Sequence, residues 1–272
     1  MKQTLSAIGR SAYLRVRGYP AAVPRVAVLG SAELLEACAP APVPGLLEVH
    51  EAGAAADLEA VRPEAVVALD PDPASERALA ALDLPTLLWG ASPGTAPVSP
   101  RQRLVLAAGD QPGAWRCVGL PVADRHFAAV VPDLPTRAAW LGQPTARRSS
   151  YLSWFQHTVE PAADGSAAVV AVNLHDGDER AFEPRAARAL AEGRLLVSET
   201  LTPPRGLEAG IDYLAAHDLD DLYLAVESAV RDPRAFRRVR IRGRRKAELF
   251  RSSRVIGRLV HDLLLELRSA SS

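Results

Sequence analysis

The stretch Asp178-Glu-Arg-Ala-Phe-Glu-Pro-Arg-Ala-Ala-Arg-Ala-Leu-Ala-Glu-Gly-Arg-Leu-Leu-Val-Ser-Glu-Thr200 reads as a helix that hands over to a buried strand. Pro184 suits a first helical turn, because the N–H it lacks would have no partner there. Glu183 then falls at the N-cap. Gly193 suits the residue just past the helix end, and Leu195, Leu196 and Val197 open an apolar strand. In an open α/β sheet the ligand crevice lies beyond the carboxyl ends of the strands, where helix amino-termini also point. Arg180, Phe182, Glu183, Ser198, Glu199 and Thr200 are therefore expected at the crevice, and Glu192 and Gly193 at the opposite rim.

The same alternation extends in both directions. Apolar runs at 25–30, 46–50, 64–70, 86–90 and 103–108 are separated by short helical segments at 32–38, 54–61 and 74–82. That is the pattern of a parallel sheet covered on both faces. After 115–122, a proline-bearing stretch to Pro135 reads as a linker. The pattern then restarts with a strand at 138–141 and a helix capped by Thr145, with Tyr151, Leu152, Phe155 and Val159 at helical spacing. A strand at 167–174 follows. Asp218 or Asp220 caps a helix with Leu222, Tyr223, Val226 and Val230 inward, and Ser253 caps a last helix carrying Val255, Ile256, Leu259, Val260, Leu263, Leu264 and Leu267. The expected fold class is α/β, with two similar units built on parallel sheets.

Composition agrees with that size. The chain has 272 residues, 48% of them hydrophobic, and a formal charge of zero, enough for two modest cores. Neutrality hides polarity. Residues 33–83 carry eleven acidic side chains against Arg62 and Arg77, whereas 231–254 carry eleven basic ones against Asp232 and Glu248. Lys2 and Lys246 are the only lysines, so the arginines reflect a biased codon usage as well as function. Cys38 and Cys117 form no ligand or disulfide spacing, which points to a reducing compartment. Residues 1–16 hold Leu5, Ile8, Tyr13 and Leu14 among basic residues, without the continuous apolar core of a signal, and no later run reaches spanning length. A cytoplasmic, soluble chain with a surface helix at its start is expected.

Several runs together resemble a known family. These are Val169-Val-Ala-Val-Asn-Leu-His175, Arg180-Ala-Phe-Glu183, Ala189-Leu-Ala-Glu-Gly-Arg-Leu-Leu-Val-Ser-Glu199 and Gly206-Leu-Glu-Ala-Gly210. Their order and spacing resemble the C-terminal domain of GT-B glycosyltransferases of the family 1 type, especially the spore-maturation (CgeB-like) group. Gly119-Leu-Pro-Val-Ala-Asp-Arg-His-Phe127 looks like the interdomain segment, and Trp140-Leu-Gly142 like the first C-terminal strand and its glycine turn. The resemblance implies a GT-B-like fold of two Rossmann-like domains: a short, acceptor-side domain at 1–128 and a nucleotide-sugar-binding domain at 129–272. It further implies that the last helix, 253–268, packs back toward the N-terminal domain, and that no metal or other cofactor is essential. Where family members carry a ribose-contacting glutamate, five residues before Gly193, this chain has Arg188.

The implied activity is transfer of a sugar from a nucleotide-diphosphate donor to an unidentified acceptor. The departing diphosphate gains negative charge, which arginine forks or helix N–H groups stabilise. Arg147 and Arg148, just after the Gly142 turn, and Arg180 are the candidate cations. Glu183 stands in for the missing glutamate, and Asn173, His175, Ser198 and Glu199 line the crevice. No catalytic base identifies itself, although Asp124 and His126 lie in the interdomain segment. Arg188 also leaves open a degenerate module that binds a nucleotide, glycan or partner without turnover.

Two other constellations carry charge. Asp70-Pro-Asp72 ends a strand, where a metal-dependent transferase would place paired carboxylates, but Pro71 and Pro73 favour a turn that starts a helix. The basic run at 231–254 has only Phe236 and Phe250 interleaved, and its helical spacing with Val239, Ile241 and Leu249 fits a packed, solvated helix pair better than a nucleic-acid surface; a third reading is peripheral contact of this face and the amino-terminal helix with an anionic membrane.

Overall fold

The computed structural model describes residues 23–52, 54–90, 97–106, 114–128, 137–141, 145–152, 155, 159–160, 168–175, 184–201 and 206–270. The chain divides into two compact units, Met1–Asp124 with Arg251–Ser272, and Arg125–Phe250. Arg180, Glu183, Gly142 and the proposed amino-terminal surface helix lie outside the described residues.

The first unit contains β1 (Arg25–Leu29), α1 (Ala32–Cys38), β2 (Glu48–Ala52), α2 (Leu58–Val61), β3 (Ala65–Leu69), α3 (Pro73–Ala81), β4 (Thr86–Gly90), β5 (Gln102–Leu106) and β6 (Arg116–Cys117). All pairings are parallel, in the order β2-β1-β3-β4-β5-β6. β3 and β4 are buried at every position, as a sheet covered on both faces requires. Successive side chains divide between the faces. Val26, Val28, Val67, Leu69 and Trp89 join one core, and Ala27, Leu29, Val66, Ala68 and Leu88 join the other with Leu58 and Leu79. Asp72 caps α3 by accepting from Ala74 N and Ser75 N, both at 2.8 Å. The turn reading of Asp70-Pro-Asp72 is thus the one the structure shows.

The second unit contains β7 (Ala138–Trp140), α4 (Ala146–Leu152), β8 (Val159–Glu160), β9 (Val170–Asn173), α5 (Pro184–Ala191), β10 (Leu195–Glu199), β11 (Leu214–Ala216), α6 (Leu219–Arg231) and α7 (Arg237–Ala247). Its parallel sheet has the order β11-β10-β9-β7-β8. Counted from β7, this is the doubly wound 2-1-3-4-5 order, whose direction reverses between β7 and β9. Leu222, Val226 and Ala229 of α6 close one face over Val170, Val172, Leu195 and Val197. The other helix, α5, ends as expected at Gly193 (φ 74°): Gly193 N donates to Leu190 O and Arg194 N to Ala189 O, a Schellman arrangement.

One expected helix is shorter than the spacing predicts. α4 stops at Leu152, and Val159 belongs to β8, paired with Ala138. Phe155 is buried edge-on against Trp140 at 5.3 Å, so its apolar character serves the core without continuing the helix. Tyr223, expected inward, is 38% exposed.

The chain ends in α8 (Ser252–Ala270), which is part of the first unit. Ile256, Leu259, Val260 and Leu263 are fully or almost fully buried in the same core as β1, β3 and β4. Glu266 accepts from Arg103 Nε (2.9 Å) and from Trp115 Nε1 (2.8 Å), fastening the far end of α8 to the β5 and β6 strands.

Candidate functional site: the carboxyl edge of the second sheet

The direction reversal between β7 and β9 opens the carboxyl edge of the sheet, and three elements bring side chains there. Arg147 comes from the first turn of α4, His175 from the end of β9 and Glu199 from the end of β10. Arg147 Nη1 donates to Glu199 Oε2 at 2.9 Å and to the His175 carbonyl at 2.6 Å, while Arg147 Nη2 donates to Glu199 Oε1. The backbone N–H of His175 adds a further bond to Glu199 Oε2 at 2.9 Å. A guanidinium fork and an amide N–H therefore converge on one anion, the charge-assisted arrangement that suits carboxylate or phosphate. Here that anion is Glu199. Tyr151 lies beside the fork, its ring centroid 5.6 Å from the guanidinium carbon.

Electrostatics follow the geometry. Burial would raise the Glu199 carboxyl, but the Arg147 hydrogen bond, the His175 N–H and the Arg147 charge together hold it below the ordinary range. The Glu199 hydrogen bond conversely raises Arg147. Arg147 retains 31% exposure at its side chain, against 12% for Glu199, so the pair sits at the surface of the edge.

The remaining described candidates lie beneath it. Arg148 is 2% exposed, and both its Nε and Nη2 donate to the Leu174 carbonyl, at 3.2 and 2.8 Å. This arginine completes the β9 end. Asn173 and Ser198 are fully buried neighbours on β9 and β10, with Asn173 Nδ2 donating to Ser198 Oγ at 3.1 Å. Arg185 Nε reaches Asn173 Oδ1 at 3.4 Å. The His175 imidazole is fully buried, and it is the residue's backbone that joins Arg147 and Glu199. Arg180 and Glu183 lie outside the described residues.

Arg188 has a definite partner. Its Nε donates to Glu192 Oε1 at 2.8 Å, one helical turn on. Glu192 also meets Arg194 Nη2 at 3.0 Å and His126 Nδ1 at 3.2 Å. Burial opposes its ionisation, yet hydrogen bonds from His126 and Arg188 and the charge of Arg194 outweigh it and lower its pKa to about 2. The i,i+4 spacing of Arg188 and Glu192 was visible in sequence; the His126 contact was not. His126 is thereby engaged with Glu192 at the opposite rim. Asp124, in the first unit, caps α8 by accepting from Ser253 N (2.9 Å) and Ser253 Oγ (2.6 Å). Among the described residues, no group of three or more His, Cys, Asp or Glu could hold a metal ion.

Two Rossmann-like units with parallel sheets make this an α/β chain of GT-B-like fold. No family model matches the sequence, and no curated protein does. Solved structures do match. A glycosyltransferase from Rickettsia africae ESF-5 is 10% identical with a TM-score of 0.54, over 95% of this chain and 94% of that one. Sucrose-phosphate synthase from Thermosynechococcus elongatus is 9% identical with a TM-score of 0.54, over 91% of this chain and 100% of that one. Anabaena HepE in complex with UDP-glucose is 9% identical with a TM-score of 0.55, over 89% and 100%. At these identities the likeness is one of fold.

Proposed function

We propose that the chain is a glycosyltransferase that takes a sugar from a nucleotide-diphosphate donor bound at the carboxyl edge of the second sheet. The observation that carries this reading is the convergence of Arg147 and the His175 N–H on one anion beside the β7–β9 reversal. A structural neighbour, Anabaena HepE, is described in complex with UDP-glucose, which supports a donor of that class. On donor binding, Arg147 turns part of its fork from Glu199 to the diphosphate, and Arg180 supplies a second cation. Arginine then neutralises the leaving group, and the reaction needs no metal. Glu199, and Glu183 by the family resemblance, would take donor hydroxyls, while Asn173, Ser198, His175 and Arg148 hold the strand ends beneath Glu199. The acceptor belongs with the first unit, and the spore-maturation (CgeB-like) group is the family this assignment favours. A nucleotide-sugar reaction also fits a cytoplasmic setting.

One observation favours a second reading, a module that binds without turnover. Arg188 occupies the family's glutamate position and is turned to Glu192, and both His126 and Asp124 are held in other interactions. A thermal-shift screen against UDP-, GDP-, TDP- and ADP-sugars, followed by a donor-hydrolysis assay, separates the two. Stabilisation with turnover supports the transferase, stabilisation without turnover supports a nucleotide-binding module, and no stabilisation overturns the transferase and leaves the module only a glycan or partner to bind.

The membrane reading rests on α7, where Arg237, Arg238, Arg242 and Arg245 are exposed beside Ile241 and Leu249. Among the described residues no helix is long and apolar enough to cross a bilayer, so contact would be peripheral. Cosedimentation with anionic vesicles, lost in Ile241→Asp, is the expected result; indifference to anionic lipid would remove this partner.

A further inference from the structure

The first unit contains a pocket of about 520 Å³ that the donor reading does not use. It lies between residues 39–47, which connect α1 to β2, and the first half of α8. That connection leads into the amino end of β2, so the pocket is at the sheet edge opposite the one where open α/β sheets hold their ligands. Its size is ordinary for a small-molecule site, roughly 300–1,000 Å³.

Two kinds of surface meet in it. Pro42, Val43, Leu46 and Leu47 make one wall apolar, and Arg254 and Arg258 of α8, with Arg251 just before it, supply cations. One carboxylate, Asp124, also lines it. That carboxylate is already engaged: it accepts from Ser253 N, Ser253 Oγ and Ala41 N (3.1 Å), with Arg251 Nη1 at 3.6 Å. Arg254 and Arg258 stand exposed at the mouth.

Gly257 is the second observation. It lies within a 19-residue helix, where glycine is among the least favourable residues. A Cβ built there would meet no atom within 4 Å, so close packing does not require the glycine. What it provides is open space on the pocket wall, between Arg254 and Arg258.

We propose that this pocket binds an amphipathic anion, its apolar chain against Pro42, Val43 and Leu46 and its phosphate head on Arg254 and Arg258. Arginine forks fit phosphate bidentately, and the apolar wall gains from covering a hydrocarbon chain. The site is independent of the nucleotide-sugar reading, because all its lining residues belong to the first unit.

Calorimetric titration of the full chain with octyl phosphate tests it, with octanol and inorganic phosphate as probes of chain and head alone. Saturable one-to-one binding is expected, about tenfold or more tighter than either half-ligand. Gly257→Leu fills the open space while improving helix propensity, so it should keep the melting temperature and lose binding. Arg258→Ala, a surface change, should weaken octyl phosphate by about tenfold. Equal binding of octanol and octyl phosphate would mean simple partitioning and overturn the proposal. So would no saturable binding, or binding unchanged in both variants. Because UDP-sugars are absent from the assay, these results leave the donor-site reading to its own test.

Discussion

Arg147 carries more of the account than any other residue, and its geometry makes a separable prediction. Removing a charge-assisted hydrogen bond to a bound anion costs about 1.5–3 kcal/mol, so Arg147→Ala should weaken nucleotide-sugar affinity roughly ten- to a hundredfold. Its fold-stabilising share is smaller, because the side chain is partly solvated. A calorimetric affinity and a melting temperature measured on the same variant separate the two; equal loss in both would make Arg147 structural. Glu192 makes a second prediction. Its folded pKa is depressed to about 2 from an ordinary 4.5, so its ion-pair stability is present above about pH 4.5 and is lost as pH falls toward 2. Glu192→Gln should flatten the acid limb of a urea-midpoint profile over that window, leaving the neutral region less stable. An unchanged acid limb would contradict the assigned pairing. At this scale the sequence was informative about backbone position and less so about side-chain use. Strand-end reasoning put Ser198 and Glu199 at the carboxyl end of β10, where they lie, but whether an arginine faces solvent or a carbonyl depends on contacts distant in sequence, as Arg148 and Leu174 show.

At the scale of elements, the contact between α5 and α7 is the most demanding. A Cβ on Gly243 would lie 2.4 Å from the Asp212 carbonyl oxygen and 2.7 Å from Leu190 Cδ2. Gly243→Ala should therefore cost about 1–3 kcal/mol despite the better helix propensity of alanine, read as a lower urea midpoint. A neutral or stabilising result would mean that α7 does not pack here as described. The basic run proves to be partly internal. Arg240 is buried and its Nε donates to the Gly193 carbonyl at the end of α5, and Arg244 Nη2 donates to Phe127 O at 2.7 Å. Charge counting alone treats such residues as a solvated face. Buried strands and their helix partners were legible because continuous apolar runs and the caps at Asp72 and Asp218 are local signals. β8 was not, since a two-residue strand has no period to read and Val159 fell on the helical spacing of its predecessors.

At the scale of the whole molecule, charge clusters along the sequence while each unit stays close to neutral. The acidic stretch 33–83 lies in the first unit, and exposed arginines of α7 lie in the second. The two-sheet architecture was readable from the restart of the strand pattern at 138–141. That the last helix supplies core residues to the first sheet is expected in the sequence only through the family resemblance, because the contacts that hold it, such as Glu266 with Arg103, join residues far apart in the chain. The central claim is donor binding at the second sheet, and it is tested most directly by titrating UDP-glucose into the intact chain and into Arg147→Ala. The account predicts saturable binding to the intact chain and a ten- to hundredfold weaker affinity in a variant that still melts cooperatively. Saturable binding of equal strength in both would contradict it.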